Sequence, residues 1–130
     1  MKLIVLSEKF AVVRLEPFDA IPAWATDAPI FSVTRTPDEL SIVCAASHVP
    51  AGVTAARGWR CLRVAGTLDF SLTGILASIA GPLADARVSI FAISTYETDY
   101  ILVPAPALPA AIAALTPAGH EVNAAPAAAN

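Results

Sequence analysis

The chain has 130 residues, 56% of them hydrophobic and 15% charged, a balance that excludes a disordered polypeptide and suffices for one ordinary domain or two small lobes. Eight basic residues against eleven acidic ones give a formal net charge of -3, and they are scattered, so no stripe exists to neutralise a run of phosphates and no nucleic-acid partner is expected. The mean hydropathy of +0.65 comes mostly from alanine, and with no uninterrupted apolar, uncharged window of about 18 residues no membrane span is expected either.

Leu3 to Leu6 is an apolar patch shorter than the roughly 7 to 15 residues of a secretory leader, and Glu8 and Lys9 follow it at once; the expected location is cytoplasmic. Leu3–Leu6 and Phe10–Leu15 read as two strands of a hairpin turning at Ser7-Glu8-Lys9. Pro17, Pro22 and Pro29 exclude a long helix in the next stretch and leave room for a single turn after Pro22, where the Trp24 indole is expected to cap the core. Ile30–Thr34 and Leu40–Ala45 form a second strand pair around the polar turn Arg35-Thr36-Pro37-Asp38-Glu39. Ser47 to Gly52 is a loop by composition, and Trp59–Val64 is strand-like. Cys44 and Cys61 lack C-x-x-C spacing and sit among apolar neighbours, which predicts buried, reduced thiols.

From Ser71 to Ala86 the period changes. Leu72, Ile75, Leu76, Ile79, Ala80 and Leu83 fall at helical spacing, Asp69 or Ser71 supplies a cap, and Gly81-Pro82 predicts a late kink. Ser89–Thr95 and Tyr100–Val103 follow as strands joined through Tyr96-Glu97-Thr98-Asp99. Pro104–Leu115 reads as a second helix, with Leu108, Ile112 and Leu115 on one side, and His120–Val122 as a last edge strand before the low-complexity tail 124–130. The order strand, helix, strand, strand, helix, strand is that of a ferredoxin-like α+β unit.

The string Phe91-Ala92-Ile93-Ser94-Thr95-Tyr96-Glu97-Thr98-Asp99-Tyr100, with Leu68-Asp69-Phe70-Ser71-Leu72-Thr73-Gly74 before it and Phe31 to Val43 further upstream, resembles the small bacterial tandem ACT-domain proteins of the CASTOR-like group. The likeness covers about residues 1–123. It implies an α+β chain of two ACT-like (ferredoxin-like βαββαβ) lobes: a degenerate, mostly β first lobe at 1–58, an ACT domain at 59–123 and a flexible tail at 124–130. It further implies a regulatory protein that binds a free amino acid or similar small metabolite at an inter-lobe or inter-subunit interface, commonly as a homodimer. By that analogy the ligand sits where the turn before the long helix faces the strand carrying Ser94 and Thr95.

Elementary electrostatics suits that placement. Backbone N–H groups opening a helix at Phe70, Ser71, Leu72, Thr73 and Gly74, just after Asp69 of the same candidate site, would take a carboxylate, Gly74 would allow close approach, and Asp99, with Ser94, Thr95 and Tyr96 nearby, offers an anion for an α-ammonium group. Asp69 and Ser71 are equally well read as caps, and Asp99 as a partner of Arg87 or Arg60. No carboxylate in the turn beyond Asp69 faces a cationic side chain, so a neutral or apolar amino acid fits at least as well as a basic one. His48 and His120 lack spaced ligand partners, no nucleophile, base and orienter set is recognisable, and no phosphate loop occurs, so neither metal, cofactor nor catalysis is expected. The competing reading is a protein-interaction module without a small ligand, using exposed sheet edges with Trp24, Trp59 and Phe31.

Overall fold

The computed structural model describes residues 1–66 and 73–125. Seven strands are β1 (Lys2–Leu15), β2 (Ser32–Arg35), β3 (Leu40–Ala45), β4 (Ala55–Val64), β5 (Phe91–Ser94), β6 (Asp99–Pro104) and β7 (Glu121–Ala124), and two helices are α1 (Ile75–Asp85) and α2 (Leu108–Leu115). Short 3-10 turns stand at Ala23–Ala25, Ala46–His48 and Ala105–Ala107. The chain divides into two compact units, Glu8–Trp59 and a discontinuous one made of Met1–Ser7 with Arg60–Asn130. The contact boundary falls between Trp59 and Arg60, and the first seven residues cluster with the C-terminal stretch, whereas the resemblance implied a lobe at 1–58.

That difference follows from a second. Ser7-Glu8-Lys9 is not a hairpin turn, because β1 runs unbroken from Lys2 to Leu15. None of the three residues supplies the positive φ or fixed φ that a two-stranded reversal needs, and all three are exposed, so polar side chains on an extended strand explain the interruption.

In the Glu8–Trp59 unit the order is β2-β3-β1, antiparallel throughout, with Phe10 opposite Ala45 and Ser32 opposite Val43. Ala11, Val13, Leu40, Ile42, Cys44 and Val49 form its core, and Trp24, after the expected single turn, packs against it half-buried. Burial among these apolar groups pushes the Cys44 thiol above its ordinary value of 9.0, an effect the Arg57 guanidinium partly offsets.

In the other unit, β7 lies parallel to β1, with Lys2 opposite Glu121, and the order continues β1-β4-β6-β5. From β4 onward the elements run strand, helix, strand, strand, helix, strand as the periodicity predicts. Leu3, Val5, Leu62, Val64, Ile101 and Val103 from the strands meet Ile79 and Leu83 of α1 and Ala111 and Leu115 of α2 in one core. Each Val, Leu or Ile among them contributes about 1.5–3 kcal/mol when fully buried. The stripe of α2 is rotated from expectation: Ala111 is buried while Ile112 is only partly covered.

α1 begins later than Ser71. Its N-cap is Gly74 at φ 77°, with no side-chain cap bond, so the capping expected of Asp69 or Ser71 is replaced by a left-handed glycine that only lacks strain because it has no Cβ. The far end closes with N–H of Val88 on the Leu83 carbonyl (2.9 Å) and N–H of Arg87 on Ala84 (3.0 Å), and Arg87 itself carries the positive φ of 61° usually left to glycine. Pro82 lies inside α1 and has no N–H to offer the carbonyl of Ser78, four residues earlier. His120, 6% exposed, fills that gap: its Nε2 stands 2.9 Å from the Ser78 oxygen and its Nδ1 3.2 Å from the Met1 ammonium. A carbonyl only accepts and an ammonium only donates, so these partners put the ring proton on Nε2.

Two outcomes follow. His120→Ala should lower stability in urea unfolding by roughly 1–3 kcal/mol, through the lost bond and the emptied volume. Cys44 should resist a thiol reagent at neutral pH until denaturant opens the unit. Because its folded pKa is raised, the thiol's contribution to stability is complete below pH 9.0 and is lost as pH climbs through the folded value.

Candidate functional site

The hairpin joining β5 to β6 carries the described part of the expected site. Ser94 and Asp99 are the last paired residues of the two strands, and the loop Thr95–Thr98 closes with the Thr95 N–H on the Thr98 carbonyl at 2.8 Å. The Thr95 hydroxyl donates to the same carbonyl at 3.0 Å and accepts from the Thr98 N–H at 3.3 Å. The tip is therefore locked by its own threonines, and Tyr96 projects from it 78% exposed.

Asp99 is neither a mere turn residue nor a partner of Arg60. Its Oδ1 accepts the Ser94 hydroxyl at 2.6 Å, while Arg60 donates Nη2 to the Leu6 carbonyl at 3.0 Å. The Ser94 bond fixes one carboxylate oxygen and leaves Oδ2 without a partner among the described residues. The carboxylate is partly covered, so it presents a fixed negative charge at the hairpin's base.

Thr98 was not singled out by the sequence reading, yet it anchors the loop. It is 5% exposed, and its hydroxyl donates to the carbonyl of Val64, the last residue of β4, at 2.6 Å. The hairpin tip consequently stands at the end of β4, where the chain departs through Ala65 and Gly66 toward α1. No local pattern signals this role, because the partner lies 34 positions away.

Of the other residues expected in the site, Asp69, Phe70, Ser71 and Leu72 lie outside the described residues. Thr73 is exposed and precedes the cap, and Gly74 meets no described atom within 4 Å of a built Cβ, so its backbone conformation, not a close approach, accounts for the glycine. With the cap at Gly74, the unpaired donors of α1 begin at Ile75. Neither Thr73 nor Gly74 shares a hydrogen bond with the hairpin among the described residues. No group of three or more His, Cys, Asp or Glu side chains that could hold a metal ion occurs among the described residues, nor does a helix long and apolar enough to cross a membrane.

The order strand, helix, strand, strand, helix, strand on one sheet is a ferredoxin-like α+β arrangement, and comparison with known proteins makes it an ACT fold. The description of the ACT domain matches residues 54–117, and one for an N-terminal domain matches residues 8–52. A crystal structure of an Agobacterium tumefaciens protein superposes with a TM-score of 0.91 at 37% identity, covering 97% of this chain and 94% of that one. The chain belongs to the small ACT-domain proteins of the CASTOR-like group. It is 39% identical over 88 residues to the Rattus norvegicus cytosolic arginine sensor for mTORC1 subunit 1, across 62% of this chain and 27% of the sensor, so it spans about a quarter of that relative's length. The regulatory subunit of aspartate kinase from Thermus thermophilus shares the fold alone, with a TM-score of 0.60 at 12% identity over 86% of this chain and 93% of the other.

Thr98→Val keeps shape and removes the bond to Val64. It should cost about 1–2 kcal/mol in urea unfolding, whereas Thr98→Ser should restore most of the loss. Equal stability of the valine variant and the parent would show that the anchor is idle.

Proposed function

We propose that this chain is a regulatory ACT-domain protein that binds a free amino acid and is not a catalyst, with the ligand's α-ammonium on Asp99 and its carboxylate on the backbone donors that lead into α1. The observation that carries this reading is the Asp99 carboxylate. It is held by Ser94, has one oxygen without a partner, and sits on a loop tied by Thr98 to the end of the strand from which the chain runs on to α1. Asp69, Phe70, Ser71, Leu72, Thr73 and Gly74 make up the helix-side half of the proposed site, and Ser94, Thr95, Tyr96 and Asp99 the hairpin half. The relatives support the ligand class, since one is named an arginine sensor and another is a regulatory subunit of an amino-acid kinase. The working form is a cytoplasmic homodimer built of two ACT-like lobes, the first of them degenerate, as the resemblance implies.

A thermal-shift screen over the free amino acids tests it. At 100 times its dissociation constant one ligand should add about 2.7 kcal/mol of stability, and Asp99→Asn should remove most of that gain without lowering the unliganded melting temperature much. A protein whose melting no amino acid shifts is not a sensor of this kind.

One observation favours the interaction reading instead. Phe18 is 89% exposed on a turn that is far from loose: the Asp19 carboxylate accepts the Glu16 N–H at 3.1 Å, and Arg35 donates to the Pro17 carbonyl and, at 2.9 Å, to that of Asp19. Ile21 and Phe31 of the same unit are also exposed. Trp24, by contrast, is turned to its core and drops out of that surface. Loss of an oligomer in Phe18→Ser by light scattering, with no amino-acid effect in the parent, would favour this second reading.

A further inference from the structure

We propose that the Glu8–Trp59 unit pairs with a second copy of itself through the free edge of β2, two-fold and antiparallel. This gives the homodimer of the preceding reading a surface, and it needs no ligand. β2 ends the order β2-β3-β1, so one of its sides faces no strand. The N–H of Thr36 reaches the Glu39 carbonyl at 2.9 Å, which makes those two a hydrogen-bonded pair of the ladder. Such pairs alternate, so Thr34 and Ser32 bond to Ser41 and Val43, while the N–H and carbonyl groups of Val33 and Arg35 point to the free side. Among the described residues no backbone bond outside the strands takes up those groups.

Most devices that keep an edge from pairing are missing from β2. It holds no proline, no lysine and no bulge, and its one charge, Arg35, is turned onto the carbonyls of Pro17 and Asp19. What remains is its length of four residues, too short for backbone pairing alone to hold two copies together. Side chains must supply the rest.

The placement of two aromatic residues is what fits a second copy. Phe31, 43% exposed, directly precedes β2, and Phe18, 89% exposed, rides on the turn held by Arg35, the last residue of β2. By the alternation of side chains Phe31, Val33 and Arg35 share a face, and Arg35 brings the Phe18 turn to it. An antiparallel pair exchanges ends: the start of one β2 meets the end of the other, which lays Phe31 of each copy against Phe18 of the other, twice. Both exposed rings are then covered by one symmetric contact. Residues 28–33 carry no charge, so Glu16 and Asp19 beside Phe18 meet no like charge there. The turn is already hydrogen-bonded, and holding Phe18 in place costs the association little.

Sedimentation velocity of the full chain over a concentration series, with no amino acid added, tests this. The parent should become a dimer as concentration rises, and Phe31→Glu and Phe18→Lys should each raise the dimer dissociation constant at least about tenfold. Their melting curves should stay unchanged, because both side chains are exposed. Mixed one to one, the two variants should recover a dimer, since one contact then sets a glutamate against a lysine and the other keeps phenylalanine against phenylalanine. A parent that stays monomeric, a dimer that either variant leaves intact, or single variants that fail to complement each other overturns the proposal. So does a parent that dimerises only when an amino acid is added, a result that leaves the hairpin reading standing.

Discussion

Fourteen consecutive residues without glycine, proline, asparagine or aspartate make up β1, and both units are organised on them. Typical strands have 5 or 6 residues, and this one has 14. Its first part gives β7 a parallel partner, and its second part gives β3 an antiparallel one. The C-terminal elements alone would leave Val122 without a strand to lie against at Leu3, and the segment Ile42 to Ala45 would lose its register. A reversal at Ser7-Glu8-Lys9 would therefore undo both arrangements at once.

Within the ACT unit a similar economy links a helix defect to a distant loop. Pro82 deprives α1 of one hydrogen bond, and the orphaned Ser78 carbonyl is met from the turn after α2, by a buried histidine. The His120 backbone N–H is in turn held by the Leu115 carbonyl at 3.1 Å, so the ring is placed by the end of the second helix. α1 and α2 are thus coupled by a polar bond as well as by Leu83, Ala111 and Leu115 in the core. The two bonds account for the histidine's burial.

Much of this was legible in the sequence, because period-2 and period-3.6 patterns answer directly to which face is covered. β3, α1 and β6 fall where Leu40 to Ala45, Ile75 to Leu83 and Tyr100 to Val103 put their apolar positions, while α2, read from Pro104, starts only at Leu108 after the 3-10 turn Ala105–Ala107. The path of β1 was not legible, since an exposed polar stretch of a long strand and a hairpin turn look alike in composition. The start of α1 was misplaced because Ser71 is a good cap by type, whereas the cap in the structure is a backbone conformation of Gly74. Thr98 escaped notice because its function is a bond to Val64, 34 positions away, which no local pattern reports.

The way Asp99 is held also bears on what the proposed hairpin site would select. A guanidinium binds a carboxylate best through two parallel N–H bonds, which requires both oxygens to be open in one plane. Here the Ser94 hydroxyl already occupies Oδ1 at 2.6 Å. Oδ1 keeps a second lone pair beside that bond, so the Ser94 contact fixes the carboxylate's orientation without excluding either a compact ammonium or a planar fork. An α-amino group supplies such a point charge in every amino acid, so Asp99 would recognise the part of the ligand that all of them share. Discrimination among side chains must then come from what lines the rest of the site.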